Sequence, residues 1–180
     1  MNGLTPPHFR FHPDPLRSGS VIAKAVTCRA CERQRDHAYV GPIHGEQELD
    51  ALCPWCIADG TAHRRFGALF HELAFASDVA PEVAIEIEER TPGFDTWNPI
   101  DWPTCCALPM AFVETAGIAE IRARHRALEG ELMGTIVHEL GISGGAAHRF
   151  LDSLRREASP SVHVFHCLTC DHTTGCIDSC

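Results

Sequence analysis

Ten cysteines stand in this 180-residue chain, and their spacing is where its chemistry begins. Cys28 and Cys31 have two residues between them, and so do Cys53 and Cys56. That spacing lets both thiols of a pair face one point from a tight turn. With 21 residues between Cys31 and Cys53, the two turns can close a tetrahedron of thiolates, a set that zinc accepts without a geometric preference of its own. Protein sulfur would fill every position, so the expected Cys28, Cys31, Cys53 and Cys56 zinc site is structural. Thiolates also admit iron, so an iron or iron–sulfur centre and a metal-free cluster are the alternatives.

The sharpest rival is local. Cys53-Pro54-Trp55-Cys56 has the form of a thiol redox motif. Such a motif needs a buried strand before it and a helix starting at it. Residues 46–52 do not read as a buried strand, and a second pair waits at a metal spacing, so the metal reading is preferred.

Six cysteines remain: Cys105, Cys106, Cys167, Cys170, Cys176 and Cys180. Cys167 and Cys170 repeat the two-residue spacing and need two partners for a second zinc. Cys105 and Cys106 are candidates, because adjacent residues can both ligate where the backbone bends. Cys176, Cys180, His163 and His166 are the other candidates. The bland alternative is a set of small buried thiols.

Other reactive residues carry less. His71-Glu72 and His138-Glu139 lack the second histidine of a zinc-protease helix and read as helix-surface pairs. No phosphate-binding glycine loop is present, and Gly144-Gly145 reads as a helix entry. Glu86, Glu88 and Glu89 read as a solvated run. His8, His12 and Asp14 near the start could line a pocket with Asp59, against the plainer reading of an arm that packs Phe9 and Phe11 on the core.

Composition bounds the rest. Hydrophobic residues make up 44% of the chain, enough for a core. The formal charge is -9, with 15 Lys and Arg against 24 Asp and Glu, so no nucleic-acid partner is expected. Arg64-Arg65 and Arg122, Arg124 and Arg126 read as solvated helix faces. The opening residues do not form a signal peptide, and no apolar run approaches a membrane span. The expectation is a cytoplasmic protein, where a reducing environment favours metal-bound or redox-active thiols over disulfides.

The elements that must position these groups follow from pattern. Residues 1–20 read as an extended arm, broken by prolines. Residues 21–26 and 37–43 read as strands flanking the first cysteine pairs. Ala62 to Ala74 places Phe66, Leu69, Phe70 and Leu73 on one helical face. Pro81 suits the first turn of a short helix ending at Thr91-Pro92-Gly93. Ile118, Ile121, His125, Leu128, Leu132, Ile136 and Leu140 recur at helical spacing, which predicts one long helix over about 115–140, stopped by Gly141. A second helix is expected over about 144–157, capped by Ser143. Val162 and Val164 predict a strand into Cys167, with a short return strand after it.

Several stretches together resemble the CbrC family. They are Phe11-His12-Pro13-Asp14-Pro15, Cys28 with Cys31, the run from Leu52 to Gly60 with Phe66, Arg90 to Phe94 with Trp97 and Trp102, and Phe165 to Cys170. The resemblance spans nearly the whole chain. This bacterial family is largely uncharacterised and takes its name from a link to colicin tolerance, so the resemblance implies no reaction. The family's middle motif is similar to His-Cys-x-Asp-x-Cys after a tryptophan. Here, after Trp102, Cys105 would stand in the histidine place and Cys106 in the first cysteine place. Leu108 and Met110 replace the acid and the second cysteine. The simplest set this implies is Cys105, Cys106, Cys167 and Cys170.

The expected architecture is α+β. It has an N-terminal zinc-ribbon-like hairpin over about 20–60, a helical middle over about 61–158 and a C-terminal zinc knuckle over about 159–180, all in one CbrC-like domain over 1–180. The expected function is that of a noncatalytic, zinc-stabilised interaction or stress-related protein with a protein partner. The alternatives are an enzyme with structural zinc and a thiol redox or zinc-sensing protein using Cys176 and Cys180.

Overall fold

A computed structural model describes residues 5–45, 49–74 and 79–179. The fold is α+β, a mixture of helices and small antiparallel sheets. Cys180, expected as a candidate ligand or sensor thiol, lies outside the described residues, as do residues 46–48 ahead of the second cysteine pair.

The expected extended arm contains one helical turn, α1 (Pro15–Ser18). Pro15 fits because the first helical position needs no N–H donor. The Asp14 carboxylate accepts from the Arg17 amide at 3.1 Å, and Gly19 at φ 92° ends the turn. Phe9 and Phe11 are buried, in keeping with the plainer reading of the arm.

The strand expected over 21–26 is split into β1 (Val21–Ile22) and β2 (Val26–Thr27). The chain changes partner between them: β1 pairs with β4 (Ala38–Tyr39), and β2 pairs with β3 (Gln34–Arg35). Of the expected strand over 37–43, only the two residues of β4 are paired in a strand. The β2–β3 turn carries Cys28 and Cys31, tightened by the Cys28 amide on the Arg33 carbonyl at 2.9 Å and the Glu32 amide on the Cys28 carbonyl at 2.7 Å. The Tyr39 amide donates to the Leu52 carbonyl at 2.8 Å, and the Arg29 amide to the Ala51 carbonyl at 3.0 Å. These two bonds draw the second cysteine pair against the first.

Two short helices come next, α2 (Pro54–Ala58) and α3 (Thr61–Phe66). The helix expected from Ala62 to Ala74 stops early because Gly67 takes the left-handed conformation at φ 64° and its amide turns back to the His63 carbonyl at 2.7 Å. Phe70 still reaches the core, but from extended chain whose amide donates to the Glu88 carbonyl of α4 (Pro81–Arg90). The α4 helix begins on Pro81 and ends before Thr91, as expected.

The long helix expected over 115–140 is three elements. The hairpin β5 (Thr104–Cys105) and β6 (Leu108–Pro109) leads into strand β7 (Ala111–Ala116), then helices α5 (Ile118–Arg124) and α6 (Leu128–His138). Ile121, Leu128, Leu132 and Ile136 do share one core, so the spacing was sound, but the helix breaks at His125. Helix α7 (Gly144–Ser153) ends earlier than expected because Leu154 turns extended and the Arg155 amide pairs with the Pro160 carbonyl. Ser143 stands at its N-cap without a side-chain cap bond. Strands β8 (Ser161–His166) and β9 (Thr173–Asp178) complete a sheet in the order β7-β8-β9. Central β8 is buried from Ser161 to Phe165, which explains its unbroken apolar character around His163.

An aromatic cluster joins the halves. Phe94 stacks on Phe112 with ring centroids 3.6 Å apart, and Trp102 donates its indole N–H to the Met110 carbonyl at 2.8 Å. His71 is a correction: it is buried in extended chain between Phe94 and Trp102, not on a helix surface. His138 and Glu139 are exposed, as expected.

Candidate metal centres

Two groups of four thiols come together, Cys28, Cys31, Cys53 and Cys56, and Cys105, Cys106, Cys167 and Cys170. Within each group all Sγ atoms lie within 4.8 Å of one another.

The first group is enclosed. Cys28 and Cys53 have no exposed surface and Cys56 is 2% exposed. Cys28 and Cys31 come from the β2–β3 turn. Cys53 is the N-cap of α2, and Cys56 lies one turn inside that helix. The Cys53 amide points at the Cys28 sulfur at 3.4 Å. Arg65 pins the first turn by donating to the Ala30 carbonyl at 2.6 Å and to Glu32 at 3.1 Å, so it is a clamp rather than part of a solvated face. The Arg35 guanidinium lies over the Trp55 ring at 4.9 Å. Burial works against its charge, but a hydrogen bond to Cys31 and the fields of Cys53, Cys31 and Cys56 raise its pKa overall. A guanidinium there partly balances the negative charge of clustered thiolates.

The second group draws on two hairpins. Cys105 ends β5, and Cys106 and Ala107 form a two-residue turn with φ 53° and 61°. Positive φ at both positions is the signature of the tight turn that matches strand twist, and it bends the backbone so that adjacent cysteines face one point. Cys167 and Cys170 lie in the β8–β9 turn, held by the Cys167 amide on the His172 carbonyl at 2.8 Å. The Thr169 and Cys170 amides point at the Cys167 sulfur at 3.4 and 3.5 Å. The Cys105–Cys106 sulfur separation is 3.8 Å, and Cys105–Cys170 and Cys106–Cys170 are both 3.7 Å. Metal–sulfur bonds of about 2.3 Å in a tetrahedron require sulfurs about 3.8 Å apart, so the donors fit such an ion. A disulfide would need about 2.05 Å.

The proton affinities show the same design in each group. At Cys28 a hydrogen bond from Cys53 is the main cause of a pKa lowered to about 4. Cys53 is raised by that same bond, and Cys56 is raised to about 12, mainly by burial. The Cys170 and Thr169 amides lower Cys167 to about 6, while the bond to Cys167 raises Cys105 to about 12. Cys28 and Cys167 thus release a proton more readily than a free thiol, and Cys53, Cys56 and Cys105 less readily.

The alternative ligands are placed elsewhere. His163 bonds Thr115 and Asp178, His166 bonds Thr173, and Cys176 stands in neither group, its thiol pushed up to about 11 by burial. Met110 is buried in the aromatic core. The arm residues do not build the pocket considered from the sequence: His12 bonds Pro92 and Ser18, Asp14 caps α1, and Asp59 accepts from the Thr61 amide. The acidic run is not simply solvated either, since Glu86 pairs with Arg10, Glu88 accepts from the Leu73 amide, and Glu89 pairs with His63.

Sequence reasoning missed Glu114. It is 3% exposed on β7 and receives Arg124 through two bonds at 3.0 and 2.7 Å, His125 at 2.8 Å and Arg17 at 3.3 Å. The available signal was a lone acid inside the apolar run from Ala111 to Ala116.

Among the described residues no helix is long and apolar enough to cross a membrane. No solved structure matches the chain. A UPF0167 protein of Mycobacterium bovis is 36% identical over 167 residues, covering 91% of this chain and 88% of its own length. A UPF0167 protein of Mycobacterium tuberculosis gives the same values. One from Pseudomonas aeruginosa is 36% identical over 168 residues, covering 91% and 92%. These matches carry the UPF0167 name, and the resemblance read from the sequence points to this same uncharacterised family. The sequence model of the Uncharacterised protein family (UPF0167) matches residues 6–179, and the chain belongs to that family.

Proposed function

We propose that this chain is a zinc-stabilised protein with two four-thiolate sites, both structural. Cys28, Cys31, Cys53 and Cys56 would hold one ion, and Cys105, Cys106, Cys167 and Cys170 the other. The carrying observation is the set of sulfur separations of 3.7 to 3.8 Å in the second group, drawn from hairpins far apart in sequence. When bound, zinc would cross-link the turns that carry the four sulfurs of each group. Four thiolates leave no open position, so the metal is scaffold and the biological role falls to surfaces it holds in place.

The first reading of that role is a noncatalytic interaction protein, folded as one domain and kept in a reducing cytoplasm that suits free thiols. Trp97 and Val40, 57% and 52% exposed, are the apolar groups a protein partner would cover. The second reading, an enzyme with structural zinc, is favoured by a cavity of about 630 Å³ beside those two residues. Elemental analysis with thiol titration tests the metal reading. The expected result is two zinc ions per chain and eight thiols protected until a chelator is added. Stoichiometric iron, or eight freely titrating thiols in the folded protein, would refute it.

A further inference from the structure

The cavity of about 630 Å³ has the size of a small-molecule site. Ser18, Ser20, Phe94, Trp97, Phe112 and Arg156 are among its walls. Behind Ser18 stands His12, with no exposed surface. The His12 Nε2 atom lies 2.7 Å from Ser18 Oγ, and its Nδ1 atom lies 2.7 Å from the Pro92 carbonyl oxygen.

These contacts fix the tautomer. A carbonyl oxygen can only accept, so Nδ1 carries the proton. Burial keeps the ring neutral, with a pKa lowered to about 4. Nε2 is therefore bare and is the nearest acceptor for the Ser18 hydroxyl at 2.7 Å, with the Pro15 carbonyl a more distant one at 3.2 Å. The Ser20 amide donates toward Ser18 Oγ at 3.5 Å, and the Ser20 hydroxyl oxygen lies 3.3 Å from it as an acceptor. Ser18 ends α1 just before the left-handed Gly19, so a sharp turn sets this half-buried side chain at the cavity wall. Hydroxyl, imidazole and orienting acceptor stand in the order of an activated nucleophile.

We propose that Ser18 is a nucleophile for acyl transfer from small carboxylic esters, with His12 as its base and the Pro92 carbonyl as the group that orients the base. Ser18 Oγ bonds to the ester carbonyl carbon as its proton passes to His12 Nε2. The carbon–oxygen bond to the alcohol then breaks, and His12 returns the proton to the departing oxygen. Water repeats the sequence: it gives a proton to His12, bonds to the acyl carbon, and Ser18 leaves with the proton restored. The exposed Trp97 offers an apolar wall for the acyl or alcohol group, with the buried Phe94–Phe112 stack also in the lining, and Arg156 is the cation of the lining. Because His12 is a weak base in the resting cavity, acylation is slow, and covalent labelling reads it better than turnover.

The test uses the full chain with its metal content measured, because this inference does not depend on what the cysteines bind. Folded protein is treated with a fluorophosphonate, whose phosphorus bonds to the attacking serine as fluoride leaves. The labelled residue is then located by peptide mass spectrometry. The expected result is labelling at Ser18, on the order of a hundredfold faster than at Ser20 or Ser161, and lost in Ser18→Ala. His12→Asn keeps an N–H for Pro92 but has no base, and should slow labelling by a similar factor. Should that variant fail to fold, urea-denatured wild-type chain serves as the comparison, with Ser18 then labelling no faster than the other serines. Equal labelling of Ser18, Ser20 and Ser161 in folded protein, or wild-type labelling in folded His12→Asn, overturns the proposal.

Discussion

Cys105 and Cys170 stand 65 residues apart in the chain, and their sulfur atoms lie 3.7 Å from one another. The β5–β6 turn and the β8–β9 turn meet at this point. Met110, Phe165 and Cys167, in or beside the two hairpins, share one buried cluster, and the four sulfurs at the turns could hold an ion between them.

The two cysteine groups should release metal at different rates. Cys106 and Cys170 are exposed, whereas Cys28, Cys53 and Cys56 are buried. A chelator should therefore strip one equivalent quickly and a second only on unfolding. Cys170→Ser should lower the metal content from two to one and leave the first site filled. Cys53→Ser should unfold the N-terminal lobe, since structural zinc contributes roughly 10–16 kcal/mol of apparent folding energy. Metal analysis after timed chelation checks all three outcomes.

Glu114→Gln should destabilise the fold by about 3 kcal/mol, the lower end for breaking a buried ion pair, because Arg17 and Arg124 are 52% and 43% exposed. Burial alone would raise the Glu114 pKa, but hydrogen bonds from Arg124 and His125 outweigh it and lower the value to about 2. The carboxylate is therefore worth most above its unfolded value near 4.5, and that stability is lost as pH falls toward 2. Urea denaturation of wild type and Glu114→Gln between pH 7 and pH 3 should show the difference shrinking in acid.

Two buried histidines impose a separate acid dependence. Burial lowers His12 to about 4 and His71 to about 3. Below their unfolded value near 6.5, the unfolded chain takes up protons that the folded chain refuses. Stability is thus full above that pH and falls as pH drops toward 4, by up to about 1.4 kcal/mol per pH unit for each ring. His71→Gln keeps a donor for the Pro92 carbonyl without a titrating group. It should flatten the slope of stability against pH between 6 and 4 by roughly half, with metal content followed at each pH.

Glycine substitutions should split by site. A Cβ at Gly93 would meet the Phe70 carbonyl oxygen at 2.1 Å and the Tyr39 hydroxyl at 2.8 Å. The obstructing atom is backbone, so Gly93→Ala should cost at least about 3 kcal/mol, at the top of the overpacking range. At Gly134, inside α6, a Cβ would meet nothing within 4 Å, and Gly134→Ala should stabilise by about 1 kcal/mol. Paired thermal melts check the sign of each change.

The sequence by itself determined the first cysteine group, because the two cysteines of each pair lie in a turn short enough to act as a local knuckle. It also determined the α4 helix start at Pro81 and the strand into Cys167, where proline chemistry and a β-branched run act within a few residues. Tertiary structure decided what depends on distant partners. Helical spacing from Ile118 to Leu140 could not reveal the break at His125, because that residue bonds Glu114 on a strand the spacing concealed. The family resemblance implied Cys105 and Cys106 beside Cys167 and Cys170, and the meeting of two hairpins brings those four sulfurs together and leaves His163, His166 and Cys176 outside the group. Likewise, the placing of Ser18 against His12 depends on the Pro92 carbonyl, 80 residues from that ring in sequence, which no local pattern encodes.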